Sequence, residues 1–182
     1  RSIGTAVQLG NGDGTFQAPR VLPFYSRPDT SGTYDLASQV QQIVDLNGDG
    51  KPDLVLITQS ATINSTLGGQ VSTVQVALGR GDGTFATPVD VAGPELMTRY
   101  SAQPDAAAIV VADVNGDGIP DLAMLGSSSG YALQVAIALG RGDGTFAAPS
   151  RTTFAAQALI FQQQIAVADF NGDGKPDVLV AN

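Results

Sequence analysis

Cysteine, histidine and tryptophan are absent from the 182 residues, and glutamate occurs once, at Glu95. Without cysteine or histidine there is no disulfide, no thiolate or imidazole nucleophile, and no ligand set of the zinc or copper kind. The redox compartment therefore leaves no mark on the sequence. Positive charge is scarce. Nine Lys plus Arg face seventeen Asp plus Glu, for a net charge of −8. That sign is wrong for a nucleic-acid surface or an anionic membrane and right for cations. Long apolar runs are missing as well. Stretches such as AAAIVVA at 106–112 fall far short of the roughly 18 residues that a membrane span needs, so neither nucleic-acid binding nor membrane insertion is expected. Helix signals are weak throughout. The first residue is Arg1 rather than Met, which is expected of a processed product or of a piece of something longer.

What is present is a repeat. DLNGDGKPDL at 45–54 returns as DVNGDGIPDL at 113–122 and as DFNGDGKPDV at 169–178. A second motif keeps step with it: LGNGDGTF at 9–16, LGRGDGTF at 78–85 and LGRGDGTF at 139–146. The first Asp of the long motif advances by 68 and then 56 residues. Such uneven spacing places insertions in loops at a rim. A hydrophobic content of 43% is that of a globular chain, long enough for one domain.

Each unit reads as four short strands. In the central unit AIVVADV (108–114) enters the acidic loop, DLAMLG (121–126) leaves it, YALQVAIAL (131–139) alternates in part, and FAAPSRTTF (146–154) follows the Gly-Asp-Gly turn. A lone four-stranded sheet cannot cover both of its faces, so such units in tandem predict an all-β fold of β-propeller-type blades. Two blades are expected over 39–92 and 107–154. The segment 163–182 looks like the first two strands of a blade and 3–22 like the last two, a split blade completed within or between chains. Alternation assigns the core to Ile43, Leu54, Leu56, Val76, Ile109, Val111, Leu122, Val135, Ile137, Ile165, Val167 and Leu179.

The spelling of the acidic loop has a chemical reading. In DxNGDGxPD, side-chain oxygens fall at positions 1, 3, 5 and 9, and a hard cation such as calcium takes about six to eight oxygens. The first loop would offer the side chains of Asp45, Asn47, Asp49 and Asp53 with the Lys51 carbonyl. The second would offer Asp113, Asn115, Asp117 and Asp121 with the Ile119 carbonyl, and the third Asp169, Asn171, Asp173 and Asp177 with the Lys175 carbonyl. An all-oxygen set favours calcium over transition metals and over magnesium, which keeps its waters. Three bound calcium ions would bring the charge from −8 to about −2. At the affinities of extracellular modules, a tenfold calcium excess stabilises by about 1.4 kcal/mol per site. The loop is no EF-hand, since neither a Glu at the twelfth place nor flanking helices are readable. The alternative is that these residues are only turn formers. For Asp13, Asp82 and Asp143 in the Gly-Asp-Gly turns, hairpin chemistry is the expectation, and the RGD triplets at 80–82 and 141–143 fall inside those turns.

With both motifs in view, the chain resembles the FG-GAP/VCBS repeat family, the calcium-binding blades of integrin α-subunit propellers and of many secreted bacterial proteins. The resemblance covers nearly the whole chain. It implies a β-propeller with calcium in its hairpin loops and an extracellular setting of adhesion or scaffolding. The chain departs from the family in having about three blade equivalents, fewer than the smallest propellers close with. A second copy, docked head to tail through the complementary half-blades, is therefore the expected partner, giving a ring or a filament. The alternative is a fragment of a larger secreted propeller with a lectin-like function, for which Phe24, Tyr25, Tyr34, Tyr100 and Tyr131 are candidate sugar-stacking residues. An extracellular protein is another candidate ligand. No pairing of acid and base outside the motifs points to an enzyme. Asn64-Ser65-Thr66 is a possible N-glycosylation acceptor in a polar insertion.

Overall fold

A computed structural model describes residues 5–22, 33–62, 70–91, 96–98, 108–127, 132–157 and 164–181, with the backbone alone at 33–38, 59–62, 70–72, 96–98, 127 and 155–157. Among the described residues all regular structure is β, and every strand pairing is antiparallel. Strands β1 (Ala6–Val7) and β2 (Arg20–Val21) form a short hairpin. The first large sheet runs in chain order through β3 (Thr33–Val44), β4 (Asp53–Thr62), β5 (Gln70–Ala77) and β6 (Val89–Asp90). A further strand, β7 (Leu96–Thr98), pairs with the other half of the same β5 edge. The second sheet has β8 (Ala108–Ala112), β9 (Asp121–Ser127), β10 (Ala132–Ala138) and β11 (Ser150–Gln157), again in chain order. Strands β12 (Gln164–Ala168) and β13 (Asp177–Ala181) form the last hairpin.

These are the blades that the repeat predicts, and their cores explain why the units come in tandem. Val55, Ile57, Val74 and Val76 of the first sheet meet Ile109, Leu122, Met124 and Ala136 of the second in one cluster. The opposite face of the second sheet buries Ala123, Leu125, Leu133 and Val135 against Ile165 of the last hairpin. The opposite face of the first sheet buries Leu54, Leu56 and Ala77 against Leu22 and Val7 of the first hairpin. The units thus stack face on face, and the central strands β4 and β9 are apolar on both sides. Alternation alone predicts one buried face per strand. It therefore misses Val55, Ile57, Ala123 and Leu125, all of them buried.

Of the expected core, Leu54, Leu56, Val76, Ile109, Leu122, Val135 and Ile165 are buried, while Val111, Ile137 and Val167 are partly so. Two residues depart from the expectation. Ile43 is 64% exposed and Leu179 46% exposed. Ile43 stands opposite Leu54, on the side facing the first hairpin, and β1 and β2 are too short to reach over it. Leu179 occupies the place of Val55 and Ala123, but among the described residues β13 pairs with β12 alone. The pattern is correct in period at both positions; the covering layer is what is missing.

Candidate metal centre

Each acidic loop joins the first two strands of its unit: β3 to β4, β8 to β9, and β12 to β13. Within 45–53 the chain reverses through two glycines at positive φ, Gly48 (73°) and Gly50 (77°), a conformation that costs glycine little and other residues more. The amides released by this curl turn inward. Asp45 Oδ1 accepts from Gly48 N (2.8 Å) and Asp49 N (3.2 Å), and its Oδ2 accepts from Gly50 N (2.8 Å). The same pattern recurs at Asp113, with Gly116 N (2.7 Å), Asp117 N (3.1 Å) and Gly118 N (2.8 Å). It recurs again at Asp169, with Gly172 N (2.7 Å), Asp173 N (3.2 Å) and Gly174 N (2.8 Å). The amides hold Asp113 and Asp169 below the ordinary carboxylate pKa, the largest contributions coming from Gly118 N and Gly174 N.

The loop brings the first and third positions together. Asp45 Oδ1 and Asn47 Oδ1 both accept from Asp49 N, at 3.2 and 3.1 Å. Asp113 and Asn115 converge likewise on Asp117 N, and Asp169 and Asn171 on Asp173 N. The fifth-position oxygen differs between loops. Asp49 Oδ2 is paired with Lys51 Nζ at 3.0 Å, and this contact is the main cause of its lowered pKa. Asp117 Oδ2 accepts from the Asn115 amide at 2.8 Å, and Asp173 Oδ2 from the Asn171 amide at 3.3 Å.

The ninth position does something the sequence does not announce. Asp53 and Asp121 are fully buried. Asp53 Oδ2 accepts from Leu46 N (2.8 Å), and its Oδ1 reaches the Gly79 amide beyond β5 (2.7 Å). Asp121 does the same with Val114 N (2.9 Å) and Gly140 N (2.7 Å). A buried carboxylate is tolerable only when its oxygens are met. Here two amides meet it and tie the acidic loop to the Gly-Asp-Gly turn. Among the described residues Asp177 accepts from the Phe170 amide alone, at 3.1 Å.

The Gly-Asp-Gly turns behave as hairpin chemistry predicts. Asp13, Asp82 and Asp143 each accept from the hydroxyl and the amide of the Thr two residues on, and chiefly the Thr hydroxyl lowers their pKa. Arg80 and Arg141 donate to the carbonyls of Phe85 and Phe146, so both charged residues of each RGD triplet are engaged within the turn.

Among the described residues no three acidic side chains gather into a ready-made metal cage. The third position is Asn, and the ninth carboxylate turns toward the framework. The donor chemistry nevertheless fits a hard cation. Positions 1, 3 and 5 carry oxygens on one curled loop, and a carboxylate oxygen that accepts one hydrogen bond keeps a further lone pair. Asn64 and the aromatic residues Phe24, Tyr25, Tyr100 and Tyr131 lie outside the described residues, as does the side chain of Tyr34. No helix among the described residues is long and apolar enough to cross a membrane.

Comparison with known proteins agrees with the repeat. A family model described as an FG-GAP-like repeat matches residues 45–124 and again 113–180. No curated protein matches the chain. Among solved structures, a lectin of Agrocybe aegerita, studied for its recognition of non-reducing terminal N-acetylglucosamine, aligns at 17% identity with a TM-score of 0.38. The alignment covers 97% of this chain and 55% of the lectin chain, so the chain spans about half the length of that protein.

Proposed function

The chain belongs to the FG-GAP-like repeat family, and from that premise we propose that it is a non-enzymatic, calcium-stabilised propeller module for adhesion or scaffolding outside the cell. The observation that carries the reading is the threefold convergence of first- and third-position oxygens on a single amide, in a chain with net charge −8. FG-GAP repeats are typical of extracellular proteins, which supports the setting.

In each loop Asp45, Asn47 and Asp49, or their counterparts Asp113, Asn115 and Asp117 and Asp169, Asn171 and Asp173, would hold the ion. The carbonyls of Lys51, Ile119 and Lys175 are the backbone candidates, and Asp53, Asp121 and Asp177 would close the set through remaining lone pairs. A bound calcium would supply charge neutralisation and a cross-link between oxygens. The residues supply the rest: glycine curvature, amides that keep Asp113 and Asp169 ionised, and the ninth carboxylates Asp53 and Asp121 that fix their loops to the sheet. No catalytic role is assigned. Asp90, the one acid outside the two motifs whose side chain is described, accepts from Gln75 at 2.8 Å on the outer edge of its sheet.

Calcium titration calorimetry with paired thermal melts tests this. Three sites at tenfold excess stabilise by about 4 kcal/mol, and in a chain of this size that raises Tm by roughly 8–16 °C. Magnesium should not substitute. Absence of heat together with an unchanged Tm between millimolar calcium and EGTA would remove calcium from the account and leave the loops as turn chemistry alone.

A further inference from the structure

Asn-Gly occurs at 11–12, 47–48, 115–116 and 171–172. In this dipeptide the backbone attacks the asparagine side chain most readily, because glycine puts no side chain in the way of its own nitrogen. All four glycines are exposed, so burial does not tell the pairs apart. Hydrogen bonding does. In the acidic loops the nucleophile is already engaged: Gly48 N donates to Asp45 Oδ1 at 2.8 Å, Gly116 N to Asp113 Oδ1 at 2.7 Å and Gly172 N to Asp169 Oδ1 at 2.7 Å. Removing that proton would leave an amide anion facing a carboxylate, an unfavourable neighbour for new negative charge. The side chains are pinned as well. Asn47, Asn115 and Asn171 each accept from the amide two residues on, and Asn115 and Asn171 donate Nδ2 to Asp117 and Asp173.

The Gly-Asp-Gly turn is built differently. Its closing bond runs from the residue before the first glycine to the Thr carbonyl: Asn11 to Thr15 at 2.9 Å, and Arg80 to Thr84 and Arg141 to Thr145 at 3.0 Å each. The amide of that first glycine, Gly12, Gly81 or Gly142, has no acceptor among the described residues. Gly81 and Gly142 belong to the two complete sheets, where Lys51 and Ile119 pack beside them without offering an acceptor. The open amide is therefore a property of the turn and not of its place in the chain. Arg80 and Arg141 have no side-chain carbonyl to attack, but Asn11 does. Its Nδ2 donates to Thr15 Oγ1 at 2.8 Å, and its Oδ1 has no partner among the described residues. The Asp-Gly pairs of these turns are closed to the same chemistry. The Thr hydroxyls hold Asp13, Asp82 and Asp143 ionised, and a carboxylate is a poor electrophile. Leu9 and Leu78 also cover Gly83 and Gly144, lying 2.7 and 2.6 Å from where a Cβ would stand.

We propose that Asn11 is a site of spontaneous deamidation, and that each loop asparagine is shielded from it by the first aspartate of its own loop. Hydroxide takes the Gly12 amide proton, the nitrogen bonds to Asn11 Cγ, and the Cγ–Nδ2 bond breaks as Nδ2 takes a proton from water and leaves as ammonia. Water then opens the succinimide at either carbonyl, giving aspartate or isoaspartate at 11. Either product brings a second carboxylate to the Thr15 hydroxyl that already serves Asp13, so the turn between β1 and β2 loosens. The inference rests on where the amides point and not on calcium.

Peptide mapping by mass spectrometry, after incubation of the folded chain in mildly alkaline buffer with calcium and again with EGTA, tests this. Asn11 should convert faster than Asn47, Asn115 and Asn171 by about tenfold to a hundredfold, the factor set by breaking a hydrogen bond to a charged group. In guanidinium chloride the four rates should become similar. Arg141→Asn should create a second fast site inside a complete sheet, and Asn11→Arg should abolish the first. Asp113→Ala should release Asn115; because it also loosens its loop, Arg141→Asn carries the test of the turn. The Asn11 rate should be the same with calcium and with EGTA, so it stands even where calorimetry finds no heat, which separates this inference from the metal reading. An Asn11 that converts no faster than the loop asparagines in the folded chain overturns it, and so does an Arg141→Asn chain whose new asparagine stays intact.

Discussion

The second sheet and the last hairpin carry nearly the same sequence, DVNGDGIPDL and DFNGDGKPDV, and they make the same loop. The amides that cradle Asp113 and Asp169 agree position for position and within about 0.1 Å. Around that loop everything differs. Asp121 is fully buried with two amide partners, whereas Asp177 is half-buried with one. Leu122 and Ala123 are fully buried, while Val178 and Leu179 at the same places are substantially exposed. The loop is thus a local structure, written in glycines and short acids. Its attachment to a core is non-local and depends on the presence of the next two strands.

Paired substitutions can break or sharpen that comparison. The largest difference is expected from Asp121→Ala against Asp177→Ala, measured by denaturant unfolding of the monomeric chain. The first removes two hydrogen bonds to a buried carboxylate and orphans their donors, a loss of about 3–6 kcal/mol. The second removes one half-exposed bond and should cost less than half as much. Similar penalties would mean that the hairpin is as well fixed as the blade.

Next in size is Gly140→Ala against Gly10→Ala. Forcing a methyl against the Pro120 carbonyl costs about 1–3 kcal/mol or more, while the open site at Gly10 stays within roughly 0.5 kcal/mol. Acid titration comes third. Asp13, Asp49, Asp82, Asp113, Asp143 and Asp169 all have folded pKa values below the ordinary 3.8. Their stabilising effect is therefore complete above that value and declines as pH falls below it through the lower folded values. A melting series between neutral pH and strong acid should show the fall confined to that acid range. The smallest effect is expected from Lys51→Ile, which makes the first loop resemble the second. Freeing Asp49 from a solvent-screened ion pair changes little, so calcium affinity at that loop should rise by no more than about fivefold.

Much of this was legible in the sequence because the repeat writes it three times. Strand positions, the acidic loops, the hairpin role of Asp13, Asp82 and Asp143, and most of the one-sided core follow from period and turn chemistry. The misses share one cause. Val55, Ile57, Ala123 and Leu125 are buried, and Ile43 and Leu179 exposed, because of what lies on the second face of each strand. A single strand's alternation does not report that face. The framework role of Asp53 and Asp121 was hidden for a related reason. Their partners Gly79 and Gly140 stand 26 and 19 residues away, and a ligand and a brace are spelled with the same aspartate.

Leu9 over Gly83 and Leu78 over Gly144 also bear on how such an array changes length. Every unit brings a plug for the unit after it and a socket for the unit before it. An in-frame duplication or deletion of one whole unit therefore leaves each junction with its matching halves, and no compensating substitution is required. Growth of the array is then limited by curvature and closure, while a single larger side chain at any socket glycine stops it at that junction.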